Sequence, residues 1–270
     1  MFYTNIEISE NQFIRANVNN NTGYLTIVNQ ITGLSEPLIN LNIDGKCNKP
    51  IILPSRLRTL NICKEYNQPI ILPDRLETLT ISGEFNQPII LPDSLRTLGI
   101  SGKFNKPIIL PDRIESLEIT GEYNQPIIIS EMLCYLTIGG KFNQPIILPT
   151  NLEHLIIGGI FNQRIIIPSR HMNKLTINGE FNQPIILSHL DHIYYLEING
   201  KFNQPIILPN KDQAQIYHLY INGKFNQPII LPNRIYRISI NGEFNQSIIL
   251  PDSIFQIDVG EDIASIFDVA

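Results

Sequence analysis

The amino-acid sequence predicts a mainly β protein, a solenoid of about eleven to twelve short coils of 19–23 residues. Three observations predict it. A motif of the form Phe-Asn-Gln-Pro-Ile-Ile-Leu-Pro recurs, with its asparagine at 48, 67, 86, 105, 124, 143, 162, 182, 203, 226 and 245. The first six intervals are 19 residues, and the later four are 20, 21, 23 and 19. Each repeat holds extended, Ile-rich segments punctuated by Gly and Pro, which leaves no room for a helix of about ten residues. Self-similarity at such a period is the mark of a stacked array, in which no single coil buries enough apolar surface to stand alone.

The elements follow in order. Residues 1–45 alternate in Phe2-Tyr3-Thr4-Asn5-Ile6-Glu7-Ile8 and Phe13-Ile14-Arg15-Ala16-Asn17-Val18. Asn19-Asn20-Asn21-Thr22-Gly23 then signals a turn before Tyr24-Leu25-Thr26-Ile27-Val28. The expectation is an N-terminal β-hairpin cap followed by a degenerate coil at Leu38, Leu41 and Ile43. Residues 46–260 form the solenoid, and 261–270 close it with a short helix or strand.

One coil, residues 85–103, shows the physics. In Leu95-x-x-Leu98-x-Ile100 the two-residue strand period puts Leu98 and Ile100 on one face and Thr97 and Gly99 on the other. Ser101-Gly102 makes a corner where positive φ is cheap for Gly. Pro107 opens a second extended segment, Ile108-Ile109-Leu110, and Pro111-Asp112 turns the chain again. Two short strands per coil are expected. Insertions within 168–174, 188–193 and 209–216 all fall just after the Ile-Ile-Leu run.

Stacking turns sequence columns into ladders. Tyr66, Phe85, Phe104, Tyr123, Phe142, Phe161, Phe181, Phe202, Phe225 and Phe244 form an aromatic column, with Cys47 at its start. A spine inside the solenoid is expected. The asparagines are expected in a buried corner, where the amide can both donate and accept. Glu84, Lys103, Glu122 and Lys141 alternate in sign, as a surface pairing ladder should. The middle residue of the Ile-Ile-Leu run is Ile in every copy. Either it points outward or a flattened coil tucks it away. If outward, Ile90, Ile109, Ile128, Ile147 and Ile166 make an apolar stripe that a second copy of the chain would cover, giving a homodimer.

The string Leu91-Pro92-Asp93-Ser94-Leu95-Arg96-Thr97-Leu98-Gly99-Ile100 running into Phe104-Asn105-Lys106-Pro107-Ile108 resembles the FNIP repeat family, of leucine-rich-repeat type. The resemblance spans 46–260, with coils shorter than the usual family length. Such repeats are known from social amoebae and from giant DNA viruses of amoebae. The resemblance implies an interaction protein. Some members also carry an F-box, whose helical pattern residues 1–45 do not have.

The outward strand face is the expected binding surface. Its columns change from Thr59/Asn61, Thr78/Thr80 and Thr97/Gly99 to Tyr, His, Lys and Arg further along. Tyr135, His154, Lys174, Tyr195, His218, Tyr220 and Arg237 are the candidate partner-binding residues, because Tyr and Arg anchor interfaces. The expected function is a non-catalytic protein–protein interaction scaffold. The alternative is a small-ligand or glycan-binding solenoid using the same Tyr/His face.

Composition excludes other classes. The net charge of -5 argues against nucleic acid and anionic membranes as partners. No apolar run approaches the roughly 20 residues of a membrane span, and Met1 to Glu10 lacks a signal pattern. A cytoplasmic setting is expected, that of the host if the chain is viral. Cys47, Cys63 and Cys134 are too few and too irregular for a disulfide framework and read as reduced, structural thiols. His189-Leu190-Asp191-His192 has nothing of metal-ligand spacing beside it. Cys134 and His154 fall on adjacent coils but lack an orienting third group. Glu118, Glu197 and Asp258 are scattered rather than clustered as a sugar-cleaving site needs. Neither catalytic residues, metal nor cofactor are expected. The sequon Asn245-Gln246-Ser247 is set aside as lying in an internal column.

Overall fold

The computed structural model describes residues 24–27, 39–44, 50–209, 215–259 and 267–268. The expected hairpin strands before Tyr24, the column members Cys47 and Asn48, and most of 261–270 lie outside the described residues. Parallel strands stacked coil on coil make the chain a mainly β solenoid of about eleven turns. It divides into two compact units, Met1–Met132 and Leu133–Ala270.

In the first unit the strands are β1 (Tyr24–Ile27), β2 (Asn40–Asp44), β3 (Thr59–Cys63), β4 (Thr78–Ile81), β5 (Thr97–Ile100) and β6 (Ser116–Ile119), each parallel to the next. The register holds like over like: Leu60, Leu79, Leu98 and Leu117 are partners in turn, as are Ile62, Ile81, Ile100 and Ile119. Those eight side chains are buried, and the residues between them face out. The strand period predicted this alternation from one coil.

The second unit holds β7 (Tyr135–Ile138), β8 (His154–Ile157), β9 (His171–Ile177), β11 (His192–Ile198), β13 (Gln215–Ile221), β14 (Ile235–Ile240) and β16 (Gln256–Val259) in one parallel order. Between them lie the two-residue strands β10 (Ile185–Ile186), β12 (Ile206–Ile207) and β15 (Ile248–Ile249). β10 pairs β12, and β15 pairs β17 (Phe267–Asp268). The three insertions do not make free loops throughout. They extend β9, β11 and β13 to seven residues each.

The expectation of two strands per coil is corrected here. Among the described residues of the first unit, the Ile-Ile-Leu runs are extended but form no ladder. The aromatic spine is continuous within each unit. Its rings are buried and nearly parallel, with centroids 6.1–6.2 Å apart from Tyr66 to Tyr123. In the second unit, from Phe142 to Phe244, the spacing is 5.8–6.1 Å. Hydrogen-bonded strands sit about 4.8 Å apart. The ring spacing does not by itself forbid a second ladder, since β10 and β12 pair in coils whose Phe181 and Phe202 stand 6.0 Å apart. In the first unit a proline opens each run, at 50, 69, 88, 107 and 126, and removes a donor.

The corner after each strand is close-packed. Gly83 has φ +70, and a Cβ there would meet the Lys64 carbonyl oxygen at 2.1 Å. Gly102, with φ +69, would likewise meet Gly83 at 2.4 Å. Backbone lies on backbone, and Glu84 N–H donates to Lys64 O (2.6 Å) while Lys103 N–H donates to Gly83 O (2.8 Å). Lys64 occupies the same column with φ 51, a left-handed conformation unfavourable for a side chain. On the far side, Leu95 N–H closes a turn on Pro92 O (3.1 Å) and Ile114 N–H on Pro111 O (3.2 Å).

The asparagines form a ladder but not a buried one. Asn86, Asn105 and Asn124 each donate a backbone N–H to the side-chain oxygen of the asparagine one coil back, at 2.9 Å. Asn162 to Asn245 do the same in the second unit, at 2.9–3.3 Å. The column is half-buried or exposed along its length, Asn245 included. The asparagine satisfies a backbone donor that has no ladder partner at this corner. Its role is coil-to-coil rather than internal to one coil.

Candidate interaction face

The outward face of the second unit is built by register. Tyr135, His154, Lys174, Tyr195, His218, Arg237 and Gln256 are successive partners in one column. Thr137, Ile156, Thr176, Glu197, Tyr220, Ser239 and Asp258 are partners in the next. Thus six of the seven sequence-derived candidates share a column, and Tyr220 stands beside them.

Their side chains interact along the stack. The Tyr135 and His154 rings stack at 4.5 Å, and Tyr195 and His218 at 4.8 Å. Lys174 pairs with Glu197 (2.9 Å), which also accepts from the Thr176 hydroxyl (3.0 Å). Arg237 donates twice to Asp258, through Nε at 2.8 Å and a terminal nitrogen at 2.5 Å. Its guanidinium carbon lies 6.0 Å from the Tyr220 ring centre. The hydrogen bond to Asp258 raises the Arg237 pKa, and the same bond with one from Gln256 lowers that of Asp258.

The imidazoles are held toward neutrality. Desolvation lowers the pKa of His154, with Lys174 adding to the effect and Glu153 opposing it. Desolvation and then Arg237 lower that of His218. Nδ1 of His218 is enclosed with no hydrogen-bond partner among the described residues. His192 is lowered by desolvation and by His171, whose ring lies 4.2 Å away.

A third column was not anticipated. One residue before the outward column, Arg58 pairs with Glu77 and Arg96 with Glu115 in the first unit. In the second unit, Asn173 donates to Glu153 (2.9 Å), and then aromatics take over. Tyr194 stacks on Tyr217 at 4.3 Å, and Tyr236 on Phe255 at 4.9 Å. Phe255 is 72% exposed, and Tyr194, Tyr195 and Tyr236 are exposed as well. A hydrogen bond with Tyr194, then desolvation, raises the Tyr217 phenol. Tyr194, Tyr217, Tyr236 and Phe255 recur at intervals of 23, 19 and 19, a signal present in the sequence. Strict alternation hid it, because the residue before an outward one is expected to point inward.

Ring spacings of 4.3–4.9 Å on this face, against 5.8–6.1 Å along the second unit's spine, make it the inner side of that unit's coils. An open depression of about 380 Å³ lies on it, lined by His154, Asn173, Lys174, Tyr194, Tyr195 and Glu197. Among the described residues, no group of three or more His, Cys, Asp or Glu could hold a metal ion. No helix among them is long and apolar enough to cross a membrane.

The Ile column points outward. Ile90, Ile109 and Ile128 in the first unit are each 90% exposed, and Ile147 and Ile166 in the second are exposed too.

The FNIP Repeat family matches residues 66–103. No curated protein matches the chain. Among solved structures it is similar to CroV588 of the giant virus CroV, described as a novel circular LRR protein, with a TM-score of 0.66 and 29% identity. That match covers 89% of this chain and 43% of the other, so the chain spans less than half of that protein's length. A leucine-rich repeat protein from Bacteroides ovatus matches at 14% identity over 93% of this chain and 90% of that one, with a TM-score of 0.34. Scaffolds built of such repeats are commonly used for protein interaction and are generally non-enzymatic. With the repeated string, the parallel stack and the match over residues 66–103 in agreement, the chain is FNIP-repeat-like and leucine-rich-repeat-like.

Proposed function

We propose that the chain is a non-catalytic scaffold that binds a protein partner through the outward strand face of its second unit. One observation carries this: Tyr194–Tyr217, Tyr195–His218 and Tyr236–Phe255 stand as stacked ring pairs on neighbouring coils, each with at least one exposed ring. Rings preorganised by stacking lose little freedom on binding and offer large contact areas. Arg237 and Lys174, already paired with Asp258 and Glu197, add polar contacts without a net charge. A partner matched to this face is a polypeptide with apolar and mixed-charge side chains, not nucleic acid or membrane. The setting that fits is cytoplasmic, the host's if the protein is viral.

The test is to select binders to the full chain from a displayed protein-fragment library and measure them against Tyr195→Ala/Tyr236→Ala. A loss of at least about tenfold is expected. Binders that retain full affinity for the double variant, while thermal melts show it folded, would remove this face from the function.

The depression beside Tyr194 and Tyr195 favours a second reading, a small-ligand or glycan site in which a phenol ring takes a sugar face. Its volume of about 380 Å³ is within the range of ligand pockets, but it is open to solvent. Saturation-transfer NMR with simple mono- and disaccharides decides between the two.

A further inference from the structure

We propose that the Ile face of the first unit is a homodimer interface, covered by the same face of a second copy of this chain. Ile52, Ile71, Ile90, Ile109 and Ile128 are 74–90% exposed on successive coils. Their neighbours Ile70, Leu72, Ile108 and Leu110 are buried, so the outward position is set by strand alternation and not by a loose segment. Pro69, Pro88, Pro107 and Pro126 are exposed alongside. The face is therefore a run of apolar ridges.

Area favours a stable pair. At roughly 100–120 Å² of apolar side chain each, the five isoleucines alone offer on the order of 500 Å². The exposed prolines and ridge flanks carry the face toward the roughly 800 Å² per partner of a standard interface. Apolar patches of several hundred Å² are seldom left in water by monomers.

Period and charge favour a second copy over another partner. Between the ridges lie grooves of about 810, 470 and 700 Å³, whose walls include Ile52 with Ile71, Ile90 with Ile109, and Ile109 with Ile128. The asparagine spacing through this unit is 19 residues without exception, so the ridges repeat evenly. A copy of the same unit, offset by half a coil, presents ridges at the spacing of these grooves. The rim carries Arg56 at one end and Glu131 at the other, with Asp74–Arg75 and Asp112–Arg113 between. An antiparallel, two-fold arrangement sets the Arg56 end against the Glu131 end and mixes signs between them, with Asp93 the one acidic group near the axis.

The test is the mass of the full chain by light scattering from about 1 to 100 μM, for the wild type, Ile90→Asp/Ile109→Asp and Tyr195→Ala. The wild type is expected to reach twice 30.8 kDa. The double aspartate variant is expected to remain a monomer with an unchanged thermal melt, and Tyr195→Ala to dimerise as the wild type does. A wild type that stays at 30.8 kDa throughout, a mass that climbs past the dimer without limit, or a dimer lost with Tyr195→Ala and kept in the aspartate variant overturns the proposal. The last outcome would place self-association on the aromatic face and leave the binding role above to be judged by its own experiment.

Discussion

The side-chain oxygen of Asn105 accepts the backbone N–H of Asn124, one coil further on, at 2.9 Å. The same oxygen accepts from Gln125 Nε2 at 3.2 Å. Asn105→Ala removes the acceptor from both and should cost about 1–2 kcal/mol, since the corner is only half-buried. Asn105→Asp keeps the acceptor and should cost clearly less. Urea unfolding of the two variants checks the order. Equal losses would assign the column's effect to side-chain packing.

The corner column separates two substitutions of opposite sign. Gly83→Ala places a Cβ against Lys64 O and forces a left-handed alanine, which should cost roughly 2–4 kcal/mol from conformation and crowding together. Lys64→Gly relieves a left-handed lysine and forfeits only an exposed ion pair with Asp44. It should be neutral or stabilising by up to about 1 kcal/mol. Thermal melts under one set of conditions test both.

Aromatic ladders inside and outside the stack should respond differently. Phe161 is buried between Phe142 and Phe181, each 6.1 Å away, and Phe161→Ala should cost about 3–5 kcal/mol. Phe255 stacks on Tyr236 at the surface, and Phe255→Ala should cost under about 1.5 kcal/mol. A comparable loss from both would mean that the outer ladder holds the fold and is not spare for a partner.

Acid should weaken the second unit through its histidines. His154, His192 and His218 have folded-state pKa values below the usual 6.5, because burial disfavours the imidazolium. Below pH 6.5 the unfolded chain takes up protons that the folded chain refuses. Their contribution is therefore present above 6.5 and lost as pH falls through the lowered folded values. Urea midpoints should hold between about pH 8 and 7 and then decline toward pH 5. The His154→Gln/His192→Gln/His218→Gln variant should show a shallower decline. An unchanged slope would point to carboxylates such as Asp258, held below its usual range by Arg237.

Much was legible in the chain because stacking converts sequence period directly into spatial neighbourhood. Leu98 over Leu79 and Phe104 over Phe85 follow from a 19-residue repeat alone. The column from Tyr135 to Arg237, with His154, Lys174, Tyr195 and His218 between, follows once the insertions that stretch the period to 20, 21 and 23 residues are placed at one corner. The outward turn of Ile109 depended on whether Ile108 and Leu110 both fit inside, and the sequence left that open.

What tertiary packing decided was how far apart successive coils stand at each side of the cross-section. Stacked phenyl rings stand about 6 Å apart at the spine, while the strand ladder and the glycine corners hold successive backbones at hydrogen-bonding distance. Asn105, expected in the interior, is instead a half-buried bridge between coils. Tyr194, exposed beside Tyr195, departs from strict strand alternation in a way the sequence period did not reveal. A repeat states which residues are neighbours from coil to coil. The distances between them are a compromise between ring packing and backbone hydrogen bonding, which only the folded stack resolves.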